Sequence, residues 1–186
     1  VKTIVHVGDA VDNHYPSRHD TEVDAMGGTD EYIQTLKGMR KWTRAFPDVY
    51  YCLGNHCRIP ERQAYKMGLS HGFLKSFKDQ WNLPEGWKVD TQHILGGILF
   101  THGVNCAGKD GAYNLAVQER MSACIGHAHS YLGVKYNANP RNIIFGLNVG
   151  CGIDVGAYAM RSGKFFKLKP TLGCGRINNN TERVDY

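Results

Sequence analysis

Short apolar runs alternate along this chain with polar turns that contain glycine. Four of the five residues 3–7 are β-branched, and this run predicts a strand. Residues 30–46 predict a helix, because Tyr32, Leu36, Met39, Trp42 and Phe46 recur at spacings of three and four. Residues 49–53 form an apolar run that is mostly β-branched or aromatic, and they predict a second strand. Strand, helix and strand in this order form a βαβ unit, which implies parallel pairing of the two strands.

The same pattern continues to residue 149. A helix is predicted to start at Pro60 and end at Gly68, and Ser70 is expected to cap a further helix that buries Phe73, Leu74, Phe77 and Trp81. Residues 89–100 predict one hairpin that turns at Gly96-Gly97. A helix at 112–121 and strands at 123–125, 134–136 and 142–149 follow, and the tail is predicted as loop. We expect a single mixed α/β domain over residues 1–186.

Composition narrows the class of protein. No apolar run approaches the ~20 residues that span a bilayer, so we expect no membrane partner. The net charge of +5 suits a phosphorylated or polyanionic substrate, but the scattered basic residues also fit an ordinary solvated surface. The six cysteines follow neither a disulfide scaffold nor a C-x-x-C pair, which favours free thiols and a reducing, cytoplasmic location.

Polar side chains follow the predicted strands at the points where these strands end. Asp9 and Asp12 follow the first strand, Asn55 and His56 the second, and His102 follows the hairpin. His127 and His129 follow the strand at 123–125. Side chains at the carboxyl ends of parallel strands converge at one edge of a sheet. Oxygen and imidazole ligands suit Mn²⁺, Fe²⁺, Zn²⁺ or Ni²⁺, and two such ions can clamp a phosphoryl group.

These clusters resemble the motifs of the calcineurin-like metallophosphoesterases, which are D-x-H, G-D-x-x-D, G-N-H-[DE], a later His and G-H-x-H. Four of the five are present, over residues 8–12, 54–56, 101–103 and 126–129. Residues 150–154 and 172–175 are also similar to phage-encoded members of the group. The resemblance implies a four-layer αββα sandwich of mixed sheets and two divalent ions, among which Mn²⁺ is favoured.

The resemblance also implies a role for each motif residue. Asp9 is expected to bridge both ions, with Asn55, His102 and His127 on one of them and His129 on the other. His56 is expected to lie at the phosphate as a catalytic residue, and Asp12 to accept its hydrogen bond. A metal-bound hydroxide would then attack phosphorus in line. His14, Arg18 and Arg58 lie near the motifs, where they bind substrate phosphate or are solvated loop residues.

Three positions depart from the family pattern. D-x-H is absent and is expected about 30 residues upstream, the length of one βαβ unit. Because the chain begins at Val1 inside a strand pattern and without Met, it is predicted to be a fragment that lacks the first strand and helix. Cys57 replaces the acid after G-N-H, so a contact around the metal ligands is expected to be lost. Asn13 stands where protein phosphatases have an arginine, which argues against that branch.

The leading hypothesis is therefore a metal-dependent hydrolase of a phosphomonoester or phosphodiester. One alternative is a nuclease or nucleotide phosphodiesterase, favoured by the positive charge. A second is an inactive relative that binds a single ion. The sequence gives no indication of the oligomeric state.

Overall fold

A computed structural model describes residues 2–17, 26–106, 108–154 and 167–178, together with the backbone of Arg183–Asp185. Contacts divide the chain into two units, Val1–Asp90 and Thr91–Tyr186. Each unit has its own sheet and its own buried residues. The interpretation of residues 1–186 as one domain stays a prediction.

The first unit has a three-stranded parallel sheet in the order β1-β2-β3. Val5 pairs with Tyr50, and Val49 pairs with Trp87. The predicted βαβ unit is thus confirmed. The elements of this unit are β1 Val5–His6, α1 Gly28–Ala45, β2 Val49–Cys52, α2 Ile59–Lys66, a 3₁₀ turn at His71–Phe73, α3 Phe77–Gln80 and β3 Trp87–Asp90.

Helix α1 starts two residues earlier than the predicted segment and ends one residue earlier, at Ala45. Asp30 and Glu31 lie in its first turn, where carboxylates favour the positive end of the helix dipole, and Arg44 lies in its last turn. Met39 is the fully buried residue of this helix. It packs in a core with Tyr51 and Trp87, whose indole N–H donates to the carbonyl of Phe46 across 2.8 Å.

The helix predicted after Ser70 is wrong in extent. Ser70 does accept a hydrogen bond from the amide of Gly72, but only a 3₁₀ turn follows. Leu74 is extended, and Ser76 then caps the separate helix α3 by accepting from the amide of Asp79. Two serine caps six residues apart divide the segment, which leaves Phe73 exposed.

The second unit is built on a mixed five-stranded sheet in the order β4-β5-β6-β8-β7. Its central strands β5, β6 and β8 are parallel, and β4 and β7 add to the edges antiparallel. Helix α4 packs so closely on β8 that a Cβ on Gly146 would lie 2.3 Å from the amide of Tyr113. The elements are β4 Gln92–Leu95, β5 Ile98–Thr101, α4 Gly111–Glu119, β6 Ser122–Ile125, β7 Leu132–Ala138, β8 Ile143–Val149, β9 Arg176–Asn178 and β10 Arg183–Asp185.

Two further expectations need correction. The hairpin does turn at Gly96-Gly97, both with positive φ, but Val89 belongs to β3 and pairs with Tyr51. The tail, predicted as loop, contains the antiparallel pair β9 and β10. Strands of three residues fall below the length at which side-chain alternation is readable.

The structure confirms the mixed α/β class, with four α-helices in the described part of the chain. None of these helices combines the length and the apolar character needed to cross a membrane. The described cysteines are free thiols, as predicted.

We expect Met39→Ala to lower the free energy of unfolding by about 2–5 kcal/mol, because it empties a site that is 1% exposed. Urea denaturation checks this. Met67→Ala is the matched control, since Met67 is 72% exposed and its truncation is expected to change stability by less than about 0.5 kcal/mol. Equal losses in the two variants would contradict the assigned core.

Candidate functional site

The loop after β1 places Asp9 beside the loop after β2. Gly8 and Asp9 both have positive φ, which turns the chain sharply at the end of the strand. Asp9 Oδ1 accepts hydrogen bonds from the amides of His56, at 3.0 Å, and Cys57, at 3.3 Å. Parallel pairing of β1 with β2 thus brings the first two predicted clusters together within the first unit.

Gly54 makes this approach feasible. A Cβ at position 54 would lie 2.0 Å from Asp9 Oδ1 and 2.5 Å from its Cγ, well inside van der Waals contact. The glycine of G-N-H therefore has a steric role, because the carboxylate occupies the space of its missing side chain.

His56 is held by Asp12 through two contacts. Its Nδ1 lies 3.0 Å from Asp12 Oδ1 and 2.8 Å from the backbone carbonyl of Asp12. The hydrogen bond to Asp12 raises the pKa of His56 to about 9, against the opposing effect of burial, and the charge of Asp9 adds to the rise. A ring that donates through Nδ1 and stays protonated presents Nε2–H as a second donor.

Asn13 ties the two loops together, a role that the sequence did not reveal. It is buried with φ of 51°, and its Nδ2 donates to the carbonyl of His56 across 2.8 Å. A non-glycine residue in the left-handed region costs free energy unless its surroundings hold it, and Asn tolerates that region better than most residues. The loop thus fixes both the backbone and the ring of His56.

Cys57 keeps a contact that we expected its presence to remove. Its Sγ lies 3.5 Å from Asp9 Oδ1 and 3.2 Å from the hydroxyl of Tyr51. Burial, and then the charge of Asp9, raise the pKa of Cys57 to about 11, so the group remains a neutral thiol. A carboxylate here would face Asp9 with like charge, whereas the thiol donates to it.

Tyr51 completes this arrangement from strand β2. The amide of Ala10 donates to its hydroxyl oxygen across 3.0 Å, which leaves the hydroxyl hydrogen for Cys57 Sγ. The hydrogen bonds therefore run in one direction: Tyr51 donates to Cys57, and Cys57 donates to Asp9. They hold Oδ1 of Asp9. The sequence pattern marked Tyr51 only as a strand residue.

The remaining predicted residues of the first unit lie around these loops. The carbonyl of Asn55 accepts from Arg62 Nη2 across 3.0 Å. Arg58 is exposed and its Nε lies 3.4 Å from Glu61 Oε2. The amide of His14 donates to Glu31 Oε1 across 2.5 Å, which fastens the loop to α1. Substrate contacts by His14 and Arg58 stay predictions, and Arg18 lies outside the described residues.

In the second unit, parallel pairing of β5 with β6 brings two predicted histidines together. His102 Nε2 lies 3.2 Å from His127 Nδ1, and His102 is 2% exposed. Gly103 follows with φ of 90°, and a Cβ there would lie 2.9 Å from Ile125 Cβ. Two imidazoles bound to one ion at about 2.0–2.1 Å place their nitrogens roughly 3 Å apart, so this spacing suits a shared cation.

His129 follows in the same tight turn. Its amide donates to the carbonyl of His127 across 3.0 Å, and its own carbonyl accepts from the amide of Thr171 across 2.7 Å. Cys151 Sγ lies 3.7 Å from that carbonyl and 3.5 Å from the carbonyl of Thr171. Cys151 and Leu172 form a β-bridge, so Cys151 and Thr171 together support the backbone of the G-H-x-H turn.

The ligand atoms within each unit are of types that divalent cations bind, and the two imidazoles of the second unit also have a suitable spacing. The first unit offers carboxylate and amide oxygens on a rigid turn, and the second offers two neighbouring imidazoles. Neither described set contains a thiol placed as a ligand, since the Cys57 thiol is protonated and donates to Asp9. Comparison of the sequence with models of known protein families and with curated proteins gives no match in either case.

We expect Asp12→Asn to lower the pKa of His56 from about 9 toward its ordinary value of 6.5. Because the pKa of His56 is raised in the folded state, the His56–Asp12 pair contributes its full stabilisation of the fold below about pH 6.5. This contribution is lost as pH rises through about 9. NMR titration of the His56 ring in metal-free protein measures the shift. Glu61→Gln, which removes a carboxylate near His71 instead, is the control. An unchanged midpoint in Asp12→Asn would refute the assignment.

Gly54→Ala is expected to destabilise the chain by about 1–3 kcal/mol, because the added Cβ displaces the Asp9 carboxylate from its amide donors. Gly38→Ala is the paired control. No atom lies within 4 Å of a Cβ at position 38, in the interior of α1. This change is therefore expected to raise the free energy of unfolding by about 0.8–1.0 kcal/mol. Urea denaturation of both variants decides, and a neutral Gly54→Ala would contradict the close packing.

Proposed function

We propose that this chain is a metal-dependent phosphoester hydrolase of the calcineurin-like metallophosphoesterase type. The observation that best supports the proposal is the Asp12–His56 pair next to Asp9, at the carboxyl edge of a parallel sheet. A protonated imidazole fixed beside a carboxylate that can bind cations is suited to phosphoryl chemistry. The four-layer αββα arrangement belongs to the same proposal.

In this proposal Asp9, Asn55, His102 and His127 hold one divalent ion, and Asp9 and His129 contribute to a second. Mn²⁺ is our first candidate, with Fe²⁺, Zn²⁺ and Ni²⁺ as others. When bound, such ions neutralise phosphate charge and activate water at neutral pH. The proposal therefore requires residues of both units to contribute to a single centre, which mutagenesis can test from either side.

His56 acts on the substrate as the proton donor. Asp12 accepts from Nδ1, so that Nε2–H is directed at a phosphate or leaving-group oxygen. When the bond between phosphorus and the leaving-group oxygen breaks, negative charge develops on that oxygen, and the proton from His56 neutralises it. Asn13 and Cys57 act indirectly, by holding the His56 backbone and the Asp9 carboxylate.

Hydrolysis of bis(p-nitrophenyl) phosphate and p-nitrophenyl phosphate with Mn²⁺ tests the proposal. We expect His56→Ala to lower kcat by about 10²–10⁴-fold with Mn²⁺ binding retained, because proton donation is lost while the ligands remain. His71→Ala, at an exposed histidine on the 3₁₀ turn, is the control and should retain full activity. The ratio of rates on the two substrates separates diesterase from monoesterase.

Calorimetric titration with Mn²⁺ tests the shared centre. Asp9→Asn and His102→Ala, which lie in different units, are expected to abolish the same binding step. Two bound ions with turnover support the dinuclear hydrolase. One ion without turnover supports the inactive single-metal relative instead, and loss of separate ions in the two variants would overturn a centre shared by these ligands.

A further inference from the structure

Helix α2 begins at Ile59, directly after the Asn55-His56 loop, and presents cations at the spacing of one helical turn. Arg58, Arg62 and Lys66 are exposed and lie four residues apart. The rise of ~1.5 Å per residue spreads them over about 12 Å. Glu61 is the carboxylate among them, and it pairs with Arg58 at 3.4 Å, so the face keeps a positive excess.

This cationic face is connected to the candidate site. Arg62 Nη2 donates to the carbonyl of Asn55, and Arg58 is separated from His56 by one residue. A polyanion that lies along α2 from Lys66 to Arg58 therefore arrives at His56. The side chains of Arg58, Arg62, Tyr65 and Lys66, with Glu61, also line a surface depression.

One exposed aromatic ring belongs to this face, and a second lies in the 3₁₀ turn that contacts α2. Phe73 is 81% exposed and Tyr65 is 79% exposed, more than any other exposed aromatic side chain in the described part of the chain. Tyr65 belongs to α2, and Phe73 lies in the 3₁₀ turn, whose His71 contacts Glu61 at 3.7 Å. Both rings are therefore accessible for stacking with a planar partner.

Cations that follow a backbone, together with exposed rings, are the elements with which proteins bind single-stranded nucleic acid. Phosphates pair with the cations, and unstacked bases stack on the aromatic faces. In duplex DNA the bases are already stacked on one another, and an inorganic or sugar phosphate offers no base. Both the charge and the rings are accounted for by a single strand.

We propose that this face of α2, defined by Arg58, Arg62, Tyr65 and Lys66 with Phe73 beside it, binds single-stranded nucleic acid and guides it to His56. Together with the phosphoester hydrolase proposed above, this binding face would make the chain a nuclease that acts on single strands. That consequence rests on the proposed function. The binding itself does not depend on hydrolysis, and the two are tested separately.

Fluorescence anisotropy with a labelled oligothymidylate, in EDTA so that no hydrolysis occurs, measures binding by the full chain. We expect the single strand to bind at least tenfold more tightly than a duplex of the same length. Arg58→Gln with Lys66→Gln is expected to reduce the slope of log K against log salt concentration by about 1.4, or 0.7 for each lost phosphate contact. Tyr65→Ala with Phe73→Ala is expected to weaken binding at least fivefold.

Lys37→Gln with Lys41→Gln is the matched control. It removes the same charge from exposed positions on α1, whose later turns lie at the opposite end of the parallel sheet from the Asp9 and His56 loops. This control should leave binding nearly unchanged. An equal loss in the control, an aromatic variant that binds like the parent chain, duplex binding as tight as single-strand binding, or no binding by the parent chain would each overturn the proposal.

Activity assays separate this inference from the proposed function. If both hold, Tyr65→Ala with Phe73→Ala keeps its rate on bis(p-nitrophenyl) phosphate and loses rate on the oligonucleotide. Absence of hydrolysis on any substrate, with oligonucleotide binding intact, would refute the hydrolase and leave the binding face standing. Hydrolysis of the small substrate without oligonucleotide binding would refute the binding face and leave the hydrolase standing.

Discussion

Parallel pairing of β1 with β2 places two loops side by side, and the carboxylate of Asp9 joins them. One oxygen of Asp9 accepts from the amides of His56 and Cys57, which fixes the second loop relative to the first. Gly54 leaves room for this carboxylate, and Asn13 returns a hydrogen bond in the other direction. The orientation of His56 toward Asp12 depends on all of these contacts. A half-buried acceptor that is satisfied by backbone donors makes the two loops behave as one rigid piece.

The neutral thiol at position 57 shows how a departure from a motif can be accommodated. A carboxylate at this place would need a cation or a donor of its own, because it would lie close to the half-buried carboxylate of Asp9 and the two like charges would repel. Cys57 instead receives a hydrogen bond from Tyr51 and gives one to Asp9. The polar chain therefore starts in the strand, with an aromatic residue that also stacks on Phe77 and Trp87. Tyr51 therefore contributes both to the packing of the core and to the geometry of the site.

Sequence reasoning succeeded where periodicity or strand ends decide the outcome. The βαβ unit, helix α1 and the glycine turn of the hairpin followed from spacing, and the strand-end rule brought together Asp9 with His56 and His102 with His127. The contacts of residues that have no distinctive sequence pattern could not be predicted in this way. Tyr51 and Asn13 look like ordinary strand and loop residues, and their roles arise from partners over 40 positions away. The break at Leu74 and the pairing of Val89 with Tyr51 likewise depend on competing local caps and on long-range register.

Left-handed backbone at Asp9, Asn13 and His127 has a consequence for how these loops can vary. β-Branched side chains are strongly disfavoured in that conformation, whereas Asn, Asp and Gly enter it at little cost. A saturation library at these positions should therefore recover folded chains mainly with those small residues, whatever selection for activity is applied. At Asp9 and Asn13 the accepted residues can keep an oxygen, but at His127 none of these small residues supplies an imidazole. Histidine itself also tolerates the left-handed region, so it combines the required backbone shape with the proposed ligand chemistry, and the histidine turn has the fewest neutral paths of change.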